Sequence, residues 1–429
     1  MPQLIVFSHL RWNFVFQRPQ HLLTRLARHY PVVFIEEPVR GDGPAWLESS
    51  RPAAGVEVLC PHTPIDAGGF HDDQLAALEP LLDAHLGSRR EDCVAWFYTP
   101  MALPLLGELR PRAIVYDCMD ELSAFKDAPR QMRQRETALL KIADVVLTGG
   151  PSLYEAKRHL HPRVLCLPSA VDAEHYAAAN ALAQEAAVRR AGELQQGIAT
   201  PRLGFFGVID ERLDLGLLAA LADARPAWQI VMVGPVAKIG RDRLPQRPNI
   251  HWLGQQPYDL LPQLVAGWDA CLMPFALNEA TRYISPTKTL EYMAAGKPVI
   301  STPVHDVKAM FSDVVRIAAD TASFIDACEA ALHETPHARA ERLADMQACV
   351  WRYSWDETAA AVHRSIEEAL ARRSTQPLAP LRGAAPPDAP RRGPAATLLP
   401  VAPTLARAPA LGAAKVVAGD PDLKVASAG

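Results

Sequence analysis

The sequence predicts an α/β protein built from two doubly wound domains. Its 429 residues exceed what a single hydrophobic core usually holds, so two domains are expected. In both halves of the chain, short apolar runs alternate with helical stretches and are flanked by Pro, Gly or polar clusters. Apolar runs of this kind are typical of parallel strands that are buried on both faces.

Six apolar runs in each half are predicted strands. In the first half they are residues 4–7, 32–35, 94–98, 113–116, 145–147 and 164–167. In the second half they are residues 203–208, 229–233, 250–253, 270–273, 299–301 and 314–318. Because ligands of open parallel sheets bind beyond the carboxyl ends of the strands, two such domains are expected to face each other across a cleft.

Changes in composition mark the domain boundaries. The predicted first domain covers residues 1–176, a helical connector rich in Ala, Gln and Glu covers 177–200, and the predicted second domain covers 201–350. A last helix is expected at 351–372. Residues 373–429 contain ten prolines and no aromatic residue, so this tail is predicted to be disordered.

The overall composition excludes several classes of protein. The chain has 44 basic and 48 acidic residues without a long run of either sign, which argues against nucleic-acid binding. Its 7 cysteines are scattered and form no C-x-x-C pair, which argues against a zinc site or a disulfide framework and for a cytosolic setting. No stretch approaches the ~18 apolar residues that cross a bilayer, so any membrane contact is expected to be peripheral.

The segment from Ser285 to Gly296 carries the clearest functional signal. Ser285 is a favoured helix N-cap, Pro286 suits the first helical position, and Gly296 ends the helix. The free N–H groups and the dipole at such a helix start bind anions, and phosphate is the obvious candidate. Lys288 and Glu291 point the same way; the alternative interpretation is an ion pair on a solvated helix face.

Residues that directly follow the predicted strands are the other candidates. They include His9, Asp117 and Asp120 in the first half, and Gly207 and Arg212 in the second. No G-x-G-x-x-G follows the first strand of either half, and the sequence has no G-x-x-x-x-G-K-[ST]. Dinucleotide-binding and P-loop interpretations therefore lose their main support.

Taken together, these features resemble the GT-B glycosyltransferases, specifically the large bacterial family four type that builds surface polysaccharides. The resemblance spans about residues 3–370. It rests on residues 8–12 with 17–22, Pro-Ser-Ala-Val-Asp at 168–172, Gly-Phe-Phe-Gly at 204–207 with Arg212, the helix that starts at Ser285, and Tyr-Ser-Trp-Asp at 353–356. It implies a GT-B fold, with two Rossmann-like domains facing a cleft and the last helix crossing back to the first domain.

The resemblance also implies an activity. A nucleotide-sugar donor would be held by the second domain, and a sugar would pass to a hydroxyl of a glycan or lipid-linked saccharide held by the first, in cell-surface polysaccharide synthesis. Lys288 and Arg212 would neutralise the diphosphate leaving group. No cofactor or metal is expected, and the enzyme would be cytoplasmic or peripheral at the inner membrane face. The expected donor-binding residues are Gly207, Arg212, Ser285, Thr287, Lys288 and Glu291.

The acceptor is expected to meet the first domain. Asp120 is the candidate general base, since an acceptor hydroxyl must lose its proton as it attacks. Asp117 is a candidate acceptor contact, although both aspartates could equally be helix caps or turn residues. The other expected acceptor contacts are His9, Arg11, Trp12 and Arg18, of which His9 could be a hydrogen-bonded structural histidine and Arg18 a surface helix start.

One departure from the family pattern keeps other functions open. The usual motif has two glutamates separated by seven residues, but Tyr283 stands eight positions before Glu291, and Glu279 is out of register. A GT-B nucleotide-sugar epimerase would use the same donor pocket without an acceptor. A degenerate, non-catalytic module that still binds a nucleotide is the alternative from another class.

Overall fold

The computed structural model describes residues 1–125, 128–177, 192–285 and 287–375, and of Glu108 and Ala177 only the backbone. Most of the predicted connector, Pro286 and the predicted tail beyond Thr375 lie outside these ranges. The described chain forms two sheets; the first lies between two hydrophobic cores, and the second is packed in a separate core. The prediction of two α/β halves is therefore confirmed.

Nine strands of the described chain build the first sheet. They are β1 (Gln3–Ser8), β2 (Val32–Glu36), β3 (Val39–Arg40), β4 (Trp46–Ala53), β5 (Val56–Thr63), β6 (Cys93–Phe97), β7 (Ala113–Cys118), β8 (Val145–Thr148) and β9 (Val164–Cys166). Their order is β3-β5-β2-β1-β6-β7-β8-β9 with β4 beside β5, and only the β4–β5 pairing is antiparallel. The direction of winding reverses between β1 and β6, and sheets of this type bind ligands at such a switch point.

The sequence analysis missed the β3–β5 region. Strand β4 carries Glu, Ser and Arg side chains and is exposed along most of its length, so no apolar run marks it. Strand β5 alternates between buried and half-buried residues, which is the period of a strand covered on one face. An analysis that looks for continuous apolar runs does not detect strands of this kind.

The second sheet has six strands in the described chain, and all its pairings are parallel. The strands are β10 (Arg202–Phe206), β11 (Gln229–Val233), β12 (Ile250–Trp252), β13 (Ala270–Met273), β14 (Val299–Ser301) and β15 (Arg316–Ile317), in the order β12-β11-β10-β13-β14-β15. Each coincides with one of the six predicted runs. The winding reverses at β10, so the ends of β10 and β13 form the switch point of this domain.

Helices cover both faces of the first sheet. Alternate residues of β1 demonstrate this, because Ile5 and Phe7 enter one core while Leu4 and Val6 enter the other. The helices of both domains in the described chain are α1 (Arg18–Leu26), α2 (Asp72–Leu86), α3 (Met132–Ile142), α4 (Pro151–Lys157), α5 (Ala173–Ala177), α6 (Leu215–Ala224), α7 (Leu261–Ala266), α8 (Thr287–Ala294), α9 (His305–Phe311), α10 (Thr321–Leu332), α11 (Pro336–Val350) and α12 (Trp355–Thr375).

Helix α12 lies against the first domain although it follows the second in sequence. Its Val362 and Ile366 are fully buried in a core of the first sheet. The helix ends at Thr375 rather than at the predicted residue 372, because Arg373 is still ordered against the first domain and donates from Nε to Asp144 Oδ1 at 2.7 Å. The predicted tail therefore begins too early.

Direct contacts also join the two halves around the cleft. Gln255 Nε2 donates to the Phe14 carbonyl at 2.5 Å. The ring of Phe16 stacks on Tyr258 with centroids 4.5 Å apart, and the His21 ring packs edge-on against Tyr258. Burial lowers the pKa of His21 to about 3, so it is a neutral aromatic part of this contact at neutral pH.

Candidate functional site

The two domains enclose a cavity of about 370 Å³ at the carboxyl ends of β10 and β11. The first domain contributes the loop between β1 and α1, and the second contributes strand ends and one side of α8. The cavity is lined by Trp12, Asn13, Phe14, Val15, Phe16, Pro52, Phe206, Gly207, Val233, Gly234, Pro235, Gln255, Gln256, Pro257, Tyr258, Leu261, Lys288 and Glu291.

Two glycines form the floor of this cavity. Gly207 has φ 147° and Gly234 has φ 144°, a region of backbone conformation that other residues rarely adopt. A Cβ on Gly234 would lie 1.8 Å from the Gly207 carbonyl oxygen, so no larger residue fits there. The bare backbone leaves room for a ligand at the strand ends. Gly207 thus lies where a donor contact was expected, and the contact itself stays a prediction.

Lys288 and Glu291 reach the same cavity from α8. They are only 8% and 5% exposed, so they do not form the solvated helix face of the alternative interpretation. Among the described residues, the Lys288 ammonium has no direct ion-pair or hydrogen-bond partner, and Glu291 Oε2 has no hydrogen-bond partner. Burial lowers the pKa of Lys288 and raises that of Glu291, and the charge of each partly offsets the shift of the other. A buried cation without a direct partner at a helix start is a candidate anion site.

Arg212 is fixed in place by Asp210. Its Nε donates to Asp210 Oδ1 at 2.9 Å and its Nη2 donates to Oδ2 at 2.7 Å, and both side chains are almost fully buried. Burial disfavours the charge of Arg212, but Asp210 outweighs burial and raises its pKa. The charge of Arg212 acts on both Lys288 and Asp120. Arg212 is therefore an oriented cation that does not itself line the cavity, and its contact with a phosphate stays a prediction.

Asp120 faces these cations from the first domain. Burial raises its pKa to about 6, and the charges of Arg212, Lys238 and Lys288 oppose that rise. The side chain lies just beyond β7 and is partly exposed, but it does not line the cavity. A carboxylate whose pKa lies near the operating pH is well suited to accept a proton in a reaction. Its role as the base stays a prediction.

Lys238 is a further cation that acts on Asp120 and was not predicted from the sequence. It lies five residues beyond Val233, the end of β11, whereas the candidates were chosen from residues that directly follow a strand. Its Nζ is 4.5 Å from the ring centroid of Phe125 in the first domain and 3.5 Å from Glu211 Oε1. Its φ of 59° is unusual for a residue with a side chain. A lysine shortly after a Gly-Pro at a strand end was the available signal.

His9 lies at the end of β1 and is 5% exposed. Burial and the nearby charge of Lys238 lower its pKa to about 4, while the Tyr98 backbone partly opposes the shift. Within the described part of the chain, neither ring nitrogen makes a well-formed hydrogen bond. His9 is therefore a buried imidazole that is neutral at neutral pH, and its contact with an acceptor stays a prediction.

The expected acceptor contacts Arg18 and Asp117 are bound to each other instead. Arg18 Nε and Nη2 donate to the two oxygens of Asp117 at 3.1 and 3.0 Å, and Nη1 donates to the Leu167 carbonyl at 2.8 Å. Their side chains are 1% and 0% exposed. Both charges are therefore neutralised within the fold, which argues against an acceptor contact by either residue. Arg18 is equally not a surface helix start.

Arg11 and Trp12 are organised by Glu36. Arg11 Nη1 donates to Glu36 Oε2 at 3.0 Å, and the Trp12 backbone N–H donates to Oε1 at 2.7 Å. Trp12 lines the cavity and packs edge-on against Phe34. Trp12 is thus placed to touch a ligand, whereas much of the charge of Arg11 is already neutralised. An acceptor contact by either residue stays a prediction.

Ser285 and Thr287 do not line the cavity, although both were expected to bind the donor. A Cβ on Gly150 of the first domain would lie 2.7 Å from the Cβ of Ser285, so Ser285 is packed into the contact between domains. Next to it, the Ser152 backbone N–H donates to Asp306 Oδ1 at 3.0 Å. The sequence analysis assigned no role to Asp306, which caps the start of α4 from the opposite domain. Thr287 is half-buried at the described start of α8.

A second, wider groove of about 790 Å³ opens between α4 and the loop before α8. Glu279 lies there in a 3-10 turn and is exposed, and Tyr283 lines the same groove beneath the guanidinium of Arg282. Neither Glu279 nor Tyr283 lines the smaller cavity. The out-of-register glutamate therefore does not stand beside Lys288 in this conformation.

The described residues contain one cluster with the spacing of metal ligands, and it lies on the β4–β5 hairpin rather than in the cavity. The ligand atoms of Glu48, Cys60 and His62 are within 4.8 Å of one another. The Arg11 guanidinium already donates to Cys60 Sγ at 3.3 Å, and burial raises the pKa of that thiol to about 11. A cation in this position would face the charge of Arg11. Metal-independent donor binding stays a prediction.

Two doubly wound domains facing a cleft and a last helix that returns to the first domain are the features of the GT-B fold. Comparison with known proteins agrees, since residues 200–334 match the sequence model of the family described as Glycosyl transferases group 1. The chain is a glycosyltransferase, and its second domain is a group 1 glycosyl transferase domain. The resemblance stated from the sequence is confirmed.

Particular relatives come from both sequence and structure comparison. The chain is 28% identical over 277 residues to TuaH of Bacillus subtilis (strain 168), named as a teichuronic acid biosynthesis glycosyltransferase; the match covers 59% of this chain and 68% of TuaH.

In the described part of the chain, no helix has the length and apolar character needed to span a membrane.

Solved structures confirm the GT-B fold at low sequence identity. Sucrose-phosphate synthase from Thermosynechococcus elongatus superimposes with a TM-score of 0.66 at 14% identity, over 87% of this chain and 100% of that one. Anabaena HepE in complex with UDP and glucose gives a TM-score of 0.61 at 15% identity, over 85% and 100% of the two chains. An E. coli trehalose-6-phosphate structure with UDP-2-fluoro glucose gives a TM-score of 0.61 at 15% identity, and the match covers 86% of this chain and 99% of that one.

Proposed function

We propose that the enzyme transfers a sugar from a UDP-sugar to a hydroxyl of a saccharide acceptor in the synthesis of a cell-surface polysaccharide. The single observation that carries the donor assignment is Lys288, a buried ammonium without a direct partner among the described residues, beside a glycine floor. The UDP ligands of HepE and of the trehalose-6-phosphate structure support the choice of nucleotide. The name of TuaH supports the choice of pathway.

The roles follow from charge and position. Lys288 and Arg212 would hold the diphosphate, and both contacts strengthen as negative charge builds on the leaving group. Glu291, one turn further along α8, would accept hydrogen bonds from the ribose hydroxyls with its unpartnered oxygen. Asp120 on the opposite wall would accept the proton of the acceptor hydroxyl.

A thermal-shift panel with UDP, GDP, ADP and TDP tests the donor assignment. A nucleotide at a hundredfold excess over its Kd stabilises the folded state by about 2.7 kcal/mol, which a melting curve detects. We expect UDP to give the largest shift. Lys288→Ala should weaken UDP binding about a hundredfold, because losing one partner of a buried charged contact costs roughly 3 kcal/mol.

Lys308→Ala is the matched control, since Lys308 is an exposed lysine on α9 of the same domain. It should bind UDP like the wild type. Equal loss of binding in both variants, or in neither, would show that Lys288 does not form the anion site. Turnover of UDP-sugar without any acceptor would favour the epimerase, whereas binding without turnover under any condition would favour the non-catalytic module.

A further inference from the structure

Two short backbone extensions carry an unassigned pair of charges from the second domain into the cleft. Beyond β10 and β11 the chain stays paired, since the Ile209 N–H donates to the Pro235 carbonyl and the Ala237 N–H donates to the Ile209 carbonyl. The tips of these extensions present Glu211 and Lys238. The pair thus sits on supported backbone rather than on long free loops.

The carboxylate of Glu211 is poorly satisfied for a buried group. Both oxygens are shielded from water and neither has a hydrogen-bond partner within the described residues. Its nearest cation, Lys238 Nζ, is 3.5 Å away, longer than a good hydrogen bond. Buried polar groups in native proteins normally have partners, so an exception of this kind points to a missing ligand.

Lys238 shows the same incompleteness from the other side. Its side chain is only 23% exposed, and its ammonium rests over the Phe125 ring of the first domain. The positive φ of Lys238 is a strained choice for a lysine, and such strain concentrates at functional sites. Its charge acts on both His9 and Asp120 in the first domain.

Resting on the proposed function, we propose that Glu211 and Lys238 bind hydroxyl groups of the transferred sugar and select a neutral hexose. A hydroxyl can accept a hydrogen bond from Lys238 and donate one to Glu211 at the same time, which satisfies both groups. A sugar carboxylate or sulfate would instead bring a like charge beside Glu211. The position suits the transferred sugar, because Glu211 directly precedes Arg212 in the chain and the charge of Lys238 acts on Asp120.

Calorimetric titration of UDP and of UDP-glucose into the full-length enzyme separates this role from a phosphate contact. In Glu211→Gln and Lys238→Met we expect UDP affinity within about twofold of the wild type, while UDP-glucose affinity falls about tenfold, the equivalent of one charged hydrogen bond. Lys238→Arg should restore most of the affinity for UDP-glucose. Lys141→Met, at an exposed position on α3, is the control and should change neither affinity.

A second probe tests selectivity directly. Glu211→Gln should raise the affinity for UDP-glucuronic acid relative to UDP-glucose about tenfold, because the repulsion between carboxylates is removed. Equal losses for UDP and UDP-glucose in Lys238→Met would make Lys238 a phosphate contact and overturn the inference, as would unchanged affinities in both variants. If the wild type itself does not bind UDP, the proposed donor fails first and the inference falls with it.

Discussion

Replacing Asp120 with asparagine should make the enzyme slower and more stable at once. The wild-type carboxyl has its pKa raised from 3.8 to about 6 by burial, so the folded protein is penalised whenever Asp120 is ionised. The difference between the two pKa values corresponds to a loss of at most about 3 kcal/mol in the free energy of unfolding. Partial exposure of the side chain reduces this loss to roughly 1–2 kcal/mol. An amide of the same shape avoids this penalty.

The sign of the pH dependence follows from the direction of the shift. Because the folded pKa is the higher one, the carboxyl does not penalise folding below about pH 4, and the full penalty is present above about pH 6. The gain in Asp120→Asn should therefore be largest near pH 7 and vanish near pH 4. Urea unfolding at both pH values measures it, and Asp345→Asn, at an exposed position on α11, is the control.

Activity should change in the opposite direction. Loss of a general base typically lowers kcat by 10²- to 10⁴-fold, while UDP affinity should not fall. In the wild type, kcat/KM should decline as the pH falls through about 6, and this decline should be absent in the variant. Unchanged kcat with weakened donor binding would refute the base assignment, and a loss of stability at pH 7 would refute the calculated penalty.

Three further outcomes are expected. Arg212→Ala should abolish most transfer and also lower Tm, because it leaves Asp210 buried and unpaired, and Asp210→Asn in the same chain should recover Tm but not activity. Arg18→Met should destabilise the fold by roughly 3–5 kcal/mol by stranding Asp117, so loss of activity without loss of stability would restore its acceptor role. Truncation after Thr375 should leave Tm and turnover nearly unchanged, since the composition of the removed segment does not favour packing. A fall in Tm of several degrees would contradict this.

The strands were predictable wherever burial on both faces makes the apolar run continuous, as in β1, β7 and β11. Strand β4 escaped detection because nearly every side chain on it meets water. One part of the site, helix α8, was also predictable because its signal lies within a short segment. Helix α8 carries its signal locally, in the order of helix start, Lys288 and helix stop, so one window of sequence is enough.

Other parts of the site depend on contacts that no local window contains. Arg18 and Asp117 are 99 residues apart, and the sequence does not show that they form an ion pair with each other. Glu211 and Lys238 come from different strand ends, and their meeting depends on the parallel pairing of β10 with β11. Residue type and position after a strand identify candidates, but only the assembled fold distinguishes a free charge from a neutralised one.

The charges around Asp120 lead to a last prediction, that donor binding and proton uptake are linked. Arg212, Lys238 and Lys288 now hold the pKa of Asp120 below the value that burial alone would give. A bound diphosphate would offset these charges and raise that pKa, so the enzyme should take up a proton on binding near pH 6.

Calorimetry of UDP-glucose binding at pH 6, in two buffers with different ionisation enthalpies, measures this uptake. UDP-glucose is the right probe because its diphosphate is a diester and does not titrate in this range, whereas the terminal phosphate of UDP does. The apparent binding enthalpy should differ between buffers for the wild type and agree for Asp120→Asn. A buffer dependence that persists in the variant would assign the proton to another group, and its absence from both proteins would show that the three cations do not meet the diphosphate.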